Sequence, residues 1–313
     1  MKQIFKPLFN DGNEIAIFVT NLQLSMKKIP LLIALFCFGN IVQAQVISDS
    51  VLIEGKYRSF HFSKPSQSKY TSLVFVLHGS NGTGLQMRER TNQSSKIEEK
   101  AELENMLIVY PDGYKKYWNE CRKVSPAEAN VLNINEQAFF DAMIQYFKKQ
   151  YKVRSVFVAG MSGGGHMAYK LALTMPNKFK AIAAFIANLP DTDNMDCEAV
   201  GKAIPVMIVN GTEDPINPYN GGEVNLGPVK MGKVQSTERT LAYWSNLARY
   251  EGKPAFENLP DTDPTDGRTI EKYTYKKPKQ PEIVLLKVIG GKHDFPKDID
   301  TMMEALAFFK RQI

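Results

Sequence analysis

The stretch "VFVAGMSGGGHMAY", residues 156–169, predicts a buried strand that turns sharply into a helix. Gly160 and residues 163–165 surround Ser162, although glycine weakens regular strands and helices. The pattern G-x-S-x-G is typical of a strained turn that exposes a serine hydroxyl above a sheet. The same glycines also suit a turn that only packs closely against its neighbours, so the pattern alone leaves both interpretations open.

Short apolar runs alternate with helical patterns along most of the chain. We predict strands at 72–79, 106–113, 155–160, 181–190, 204–211 and 283–291. We predict a leading hairpin at 50–62, a long loop at 254–281, and helices at 94–105, 134–151, from about 163 onward, 235–250 and 298–311. Continuous apolar strands between helices indicate an α/β fold of three layers, with helices on both faces of a mostly parallel sheet. Functional sites of such sheets lie in the loops beyond the carboxyl ends of the strands.

A serine nucleophile needs a general base, and the sequence has four histidines. His61 lies within the predicted hairpin, and His166 follows Ser162 too closely along the chain to reach back easily. His78 ends an apolar run, where its ring is interpreted as a structural hydrogen-bonding group. His293 follows the last predicted strand on a glycine-containing loop, and it is therefore the predicted base.

The acid that orients this base is predicted to be Asp214, in "VNGTEDPINPY" (209–219) after the preceding strand. Glu213 is adjacent to it, and Asp294 is adjacent to the base, but one step along the backbone points the Asp294 side chain away. The chain order serine, aspartate, histidine is that of α/β-hydrolases.

Backbone amides of two turns are predicted to form an oxyanion hole. The N–H of Gly163 follows the serine, and the N–H of Ser80 lies in the "HGS" turn after the strand at 72–79. Both groups are expected to point at the oxygen that becomes negative when an ester carbonyl is attacked.

The N-terminal residues 1–44 are predicted to be an extension followed by a secretory signal peptide. From Met26, two lysines precede an apolar core that is short for a membrane span, and Val42-Gln43-Ala44 is a small-x-small cleavage pattern. We therefore predict translation from Met26, cleavage after Ala44, and a single catalytic domain at 45–313. The mature protein is expected to be secreted or periplasmic with no stable membrane span, and an uncleaved anchor is the alternative.

Composition and cysteine usage limit the partners. The net charge of +6 comes without a dense basic cluster interleaved with aromatic residues, so we expect no nucleic-acid partner. We also expect no metal and no cofactor, because the chain has neither metal-ligand spacing nor a phosphate-binding loop. Cys121 and Cys197 both follow predicted strands, and export permits a disulfide between them; two buried free thiols are the alternative.

Several sequence blocks resemble those of a known family: "LHGSNG" (77–82), "YPDG" (110–113) with "WNEC" (118–121), "GMSGGGHMAYKLA" (160–172), "NGTEDPINPYNGG" (210–222) and "GGKHDFP" (290–296). They are similar to the secreted polyhydroxybutyrate depolymerase and feruloyl esterase branch of the α/β-hydrolases, from about residue 53 onward. This resemblance implies a cofactor-free carboxylic-ester hydrolase with Ser162, Asp214 and His293 as its triad. It implies substrates among acetyl or feruloyl esters of plant xylan, or hydroxyalkanoate esters.

Side chains near the predicted triad are candidates for substrate contact. Trp118 and Asn119 follow a strand end, where an aromatic ring can stack on a sugar or feruloyl ring, and simple packing of the tryptophan is the alternative. His78 is a further candidate, and so is Tyr219, which lies in the loop of the predicted acid. Phe295 stands where the resembling branch commonly has tryptophan, which affects the shape of the acyl pocket.

Other functions are compatible with the same scaffold. An acyltransferase would deliver the acyl group to a sugar or lipid hydroxyl instead of water, and a peptidase would use the same triad on amides. A binding protein without catalysis is a further alternative, which the complete set of triad residues disfavours.

Overall fold

The structure is a computed structural model and describes residues 45–313. Residues 1–44, the predicted extension and the signal peptide that starts at Met26, lie outside the described residues. Over 45–313, every helix is too short or too polar to cross a bilayer.

Strands and helices alternate along the described residues. The strands are β1 (Val46–Ile53), β2 (Lys56–Ser63), β3 (Ser72–Leu77), β4 (Met106–Pro111), β5 (Ser155–Met161), β6 (Ala181–Phe185), β7 (Val206–Gly211), β8 (Gly222–Leu226), β9 (Val229–Val234), β10 (Ala255–Asn258), β11 (Thr269–Tyr275) and β12 (Ile283–Ile289). The helices are α1 (Gly84–Ser95), α2 (Ile97–Leu103), α3 (Glu128–Val131), α4 (Glu136–Tyr151), α5 (Gly163–Thr174), α6 (Thr237–Leu247) and α7 (Thr301–Lys310), with a short 3-10 helix at Thr192–Asn194. Side-chain oxygens of Thr83, Asn135, Ser236 and Asp300 accept first-turn amides and fix the starts of four of these helices.

The main sheet has the strand order β1-β2-β4-β3-β5-β6-β7-β12-β11-β10. Its six central strands, from β4 to β12, are parallel, while the strands outside them at both edges pair antiparallel. All residues of β3, β4, β6 and β7 are buried, which explains why their sequences are continuously apolar. The predicted mostly parallel α/β sheet is confirmed.

Helices cover both faces of this sheet and separate two apolar cores. One core contains the buried faces of α4, α5 and α6, including Phe140, Met167 and Trp244. The other contains those of α1, α2 and α7, including Met87 and Phe309. The result is the predicted arrangement of three layers.

Two local predictions differ from the structure, and some elements were not predicted. The predicted loop at 254–281 contains β10 and β11, which extend the sheet antiparallel from β12. The predicted helix at 94–105 corresponds to α2 alone, because the left-handed backbone of Lys96 separates α2 from α1, and α1 was not predicted. The hairpin of β8 and β9 was not predicted, because its short strands carry little apolar alternation.

Candidate active site

Ser162 lies at a strained turn between the last residue of β5 and the first residue of α5. Its φ is 54° and its ψ is −117°, a backbone conformation that residues with a side chain adopt rarely. The Ser162 amide donates to the carbonyl oxygen of Phe185 at 2.9 Å, so the end of β6 holds the turn in place. The serine is half-buried at the carboxyl edge of the parallel strands, as the sequence pattern predicts for a nucleophile.

The glycines around the serine are required by close backbone approaches. A Cβ on Gly160 would lie 2.1 Å from the carbonyl oxygen of Gly164. A Cβ on Gly164 itself would lie 2.5 Å from the carbonyl oxygen of Leu77. Helix α5 therefore starts in direct backbone contact with β3 and β5, which only glycine permits.

A chain of hydrogen bonds connects Ser162 to Asp214 through His293. The His293 Nε2 lies 2.9 Å from the Ser162 Oγ, and the His293 Nδ1 lies 2.7 Å from the Asp214 Oδ2. A carboxylate only accepts hydrogen bonds, so Nδ1 carries the proton and Nε2 is free to accept from the serine hydroxyl. This is the tautomer that a general base requires.

Two backbone amides fix the orientation of the Asp214 carboxylate. The Oδ1 atom accepts from the amides of Ile216 and Asn217, each at 2.8 Å. Asp214 is buried directly after β7, whereas the neighbouring Glu213 is exposed. Asp294, the other alternative acid, pairs with Arg268 through contacts of 2.8 and 3.1 Å.

The predicted oxyanion-hole residues also lie together. A Cβ built on Gly163 would lie 2.9 Å from the Ser80 backbone nitrogen, so these two backbone segments touch beside the serine. The Gly163 amide is the first of α5 and has no acceptor within its own helix. The positive end of the α5 dipole therefore lies next to Ser162.

Three of the candidates for substrate contact, His78, Trp118 and Asn119, are buried. The His78 ring is buried, donates from Nδ1 to the Gly79 carbonyl at 2.7 Å, and accepts the Gly113 amide at Nε2 at 2.9 Å. Burial lowers the pKa of His78, which keeps the ring neutral for both roles. Trp118 is buried and donates to the His78 carbonyl at 3.0 Å, and Asn119 is buried with its amide donated to the Ile134 carbonyl. His78 and Trp118 thus support the loop that carries Ser80, whereas Asn119 is bonded to the segment before α4.

The other two predicted pocket residues have different positions. Tyr219 is buried, with the Lys287 ammonium 5.8 Å from its ring centre, and burial raises its pKa strongly. Phe295 is half-buried and meets Phe185 edge-on with ring centres 5.6 Å apart. Because the Phe185 carbonyl binds the Ser162 amide, Phe295 stays the better candidate for a pocket wall.

The remaining histidines have structural surroundings. His61 bonds to Ser48 at 2.8 Å and to Asp112 at 2.9 Å across the antiparallel edge of the sheet. His166 is buried in the first turn of α5, and burial lowers its pKa well below the ordinary value.

A buried polar network behind the acid loop was missed in the sequence. The Asn210 side chain accepts the Ala187 amide at 3.0 Å and donates to Asn188 at 2.8 Å and to Thr237 at 3.0 Å. It joins the ends of β6 and β7 to the start of α6 and thus supports the loop of Asp214. An asparagine at the end of an apolar strand is the signal that would have found it.

The loop after β4 is attached to the loop after β6. Cys121 and Cys197 form a disulfide with an S–S distance of 2.01 Å, and the Lys123 amide donates to the Asn194 carbonyl at 2.7 Å. The carboxylate of Asp196 lies near these sulfur atoms, but disulfide sulfurs are not thiolate ligands for a metal. The disulfide and this hydrogen bond therefore hold the two loops together.

The sheet, the serine turn after its central strand β5, and the order of the hydrogen-bonded residues define the class of the protein as an α/β-hydrolase. Residues 63–226, more than half of the 313-residue chain, match the family model described as phospholipase/carboxylesterase. The chain belongs to this phospholipase/carboxylesterase family, and we therefore class it as a carboxylic-ester hydrolase.

Curated relatives are similar at low identity. A protein of Nocardia uniformis subsp. tsuyamanensis with the provisional name esterase NocK is 23% identical over 271 residues, which is 82% of this chain and 76% of that protein. Acetylxylan esterase A of Aspergillus oryzae is 27% identical over 57% of this chain and 62% of its own length. Feruloyl esterase C of Emericella nidulans is 27% identical over 50% of this chain and 53% of its own length. The chain thus spans little more than half of these fungal relatives.

Solved structures share the fold. The ferulic acid esterase AmCE1/Fae1A of Anaeromyces mucronatus superposes with a TM-score of 0.52 at 13% identity, covering 86% of this chain and 90% of that one. At this identity the likeness supports the fold alone.

Proposed function

We propose that the protein is a serine esterase that works through an acyl-enzyme. The support is the hydrogen-bond chain from Ser162 through His293 to Asp214, with contacts of 2.9 and 2.7 Å. In the proposed reaction, His293 Nε2 takes the hydroxyl proton while the Ser162 oxygen attacks the ester carbonyl. The same imidazolium then protonates the leaving alcohol, and Asp214 stabilises its positive charge.

The oxyanion of the tetrahedral intermediate is proposed to accept hydrogen bonds from the Ser80 and Gly163 amides. Removal of one such donor costs about 3 kcal/mol of transition-state stabilisation in serine hydrolases. Deacylation repeats the steps with water in place of the alcohol, and His293 then acts as the base for that water. The proposed reaction needs no metal or cofactor.

For the substrate, we propose acetyl or feruloyl esters of plant polysaccharides, with hydroxyalkanoate esters as the second class. The fungal relatives acetylxylan esterase A and feruloyl esterase C favour the first class. The polyhydroxybutyrate part of the sequence resemblance supports the second and stays a prediction.

We also propose that the protein is exported after cleavage behind Ala44, to the periplasm or the medium. The support is the basic, apolar and small-residue pattern from Met26 to Ala44. N-terminal sequencing of the exported protein is expected to begin at Gln45, and a sequence that begins at Met1 or Met26 would contradict the proposal.

The deciding experiment compares the unmodified protein with Ser162→Ala and with a control, Ser94→Ala, on the exposed surface of α1. Release of acetate, ferulate and 3-hydroxybutyrate is measured from xylan-derived and hydroxyalkanoate esters. We expect release from one class that Ser162→Ala abolishes and Ser94→Ala leaves unchanged. Transfer of the acyl group to an added alcohol in preference to water, or cleavage of peptides alone, would instead support the acyltransferase or the peptidase.

A further inference from the structure

A basic cleft lies at the amino-terminal edge of the sheet, opposite the edge that carries Ser162. Its volume is about 260 Å³. The basic side chains that line it come from four segments: Lys148 near the end of α4, Arg154 before β5, Lys178 and Lys180 before β6, and Lys202 before β7. Because β5 runs through the sheet from this edge to the serine, the cleft and the nucleophile are about 20 Å apart along the strand.

The charge of the cleft is largely uncompensated. Its lining residues include no carboxylate. Lys178 pairs with Asp141, which lies outside the lining, and Lys202 donates to the neutral amide of Asn177 at 2.6 Å. Within residues 45–313, Lys148, Arg154 and Lys180 have no carboxylate within ion-pair distance. Repulsion among cations that converge on one cleft would be relieved by an anionic ligand.

Apolar residues contribute little accessible surface to the cleft. Val156, Phe179 and Ile204 line it together with two prolines, but these three side chains are only 2–4% exposed. The basic side chains therefore offer most of the contacts, which fits a polymer that carries a carboxylate on each repeating unit. Because Phe179 is buried, no free aromatic face is available on which a nucleic-acid base could stack. None of the lining side chains is a large exposed apolar group that could insert into a bilayer.

We propose that this cleft docks an acidic polysaccharide of the polyuronate type. The choice of a polysaccharide rests on the proposed function, while the anionic character of the ligand rests on the cleft itself. Docking at the edge opposite Ser162 would hold the enzyme on the polymer and leave the carboxyl edge free to turn over ester groups on neighbouring chains.

The test measures binding of full-length Ser162→Ala protein to polygalacturonate by affinity electrophoresis, with neutral β-glucan as the uncharged probe. Two triple variants are made in this background. The cleft variant carries Lys148→Gln, Arg154→Gln and Lys180→Gln. The control variant carries Lys64→Gln, Lys69→Gln and Lys253→Gln, which remove the same amount of charge from exposed lysines elsewhere. We expect the cleft variant to bind polygalacturonate about tenfold more weakly and the control about twofold at most, since single exposed ion contacts contribute modestly. Binding of the unsubstituted background is expected to fall steeply as salt rises above about 0.15 M.

Several results would overturn the proposal. The first is an equal loss of polygalacturonate affinity in the two triple variants. The second is that the Ser162→Ala protein binds β-glucan as tightly as polygalacturonate, or does not bind polygalacturonate. The third is that it binds phosphatidylglycerol vesicles or DNA more tightly than polygalacturonate. The same triple substitutions in the active protein are expected to leave turnover of a small soluble ester unchanged, which also shows that the variant is folded. Because binding is measured without the nucleophile, an absence of esterase activity would refute the proposed function separately from the docking site.

Discussion

Replacement of Asp214 by asparagine is expected to inactivate the enzyme while leaving its fold intact. In the structure, Asp214 Oδ1 accepts two backbone amides at 2.8 Å and Oδ2 accepts His293 Nδ1. An asparagine keeps the two amide bonds only if its oxygen takes the Oδ1 position. Its NH2 group then faces His293 Nδ1, which must lose its proton and become an acceptor.

The consequence is the wrong histidine tautomer. The proton moves to Nε2, which then donates to Ser162 and cannot accept its proton. The opposite orientation of the amide would place the NH2 group against two backbone N–H donors, at a cost of about 1–3 kcal/mol for each unsatisfied group. A serine hydrolase with this tautomer loses about 10⁴ in kcat, which corresponds to about 5 kcal/mol of activation free energy.

The assay is kcat and KM for a soluble aryl ester, with thermal unfolding as the check of folding. Glu213→Gln is the matched control, because this neighbouring carboxylate is exposed, and its activity is expected to stay within about twofold. The reasoning is refuted if folded Asp214→Asn keeps more than about a tenth of kcat, because a wrong tautomer is expected to cost far more.

Three further predictions concern stability. Gly164→Ala places a Cβ 2.5 Å from a backbone carbonyl oxygen of β3, so the free energy of unfolding in urea should fall by about 1–3 kcal/mol and kcat should also fall. Gly79→Ala is the control, because its Cβ would have no contact closer than 3.4 Å, and its free energy of unfolding should fall less. Replacement of both Cys121 and Cys197 by serine removes a disulfide between residues 76 positions apart, and it should lower the free energy of unfolding by about 4 kcal/mol. An unchanged midpoint of urea unfolding would contradict this prediction. Burial lowers the pKa of His166 well below 6.5, so the unfolded chain binds a proton that the folded protein does not, and stability should fall as pH falls below about 6.5. His166→Gln should remove this part of the pH dependence, about 1 kcal/mol in urea titrations between about pH 6.5 and 5.5, and an unchanged slope would argue against a neutral His166.

Sequence patterns were sufficient for the parts of the molecule that burial determines. The central strands are apolar throughout because both of their faces are covered, and topology then requires that Asp214 and His293 emerge at the edge of Ser162. The structure brings the residues found in this way within hydrogen-bond distance of one another.

The missed elements depend on tertiary partners. Strand β10 is exposed at every residue and exists because it pairs with β11, so its own sequence carries no apolar signal. The two alternatives for Trp118 stayed open for a related reason, since an aromatic residue after a strand can line a pocket or support a loop. Its bond to the His78 carbonyl decides between these roles and is visible only in three dimensions.

The left-handed backbone of Ser162 places stability and activity in opposition at this one residue. A non-glycine residue in such a region stores about 1–3 kcal/mol of strain that the surrounding contacts must hold. Glycine would release this strain, so Ser162→Gly is a substitution that should raise the melting temperature while removing the hydroxyl. Selection for thermostability alone would therefore tend to discard the nucleophile, and engineering of this enzyme for heat resistance needs an activity screen at every round.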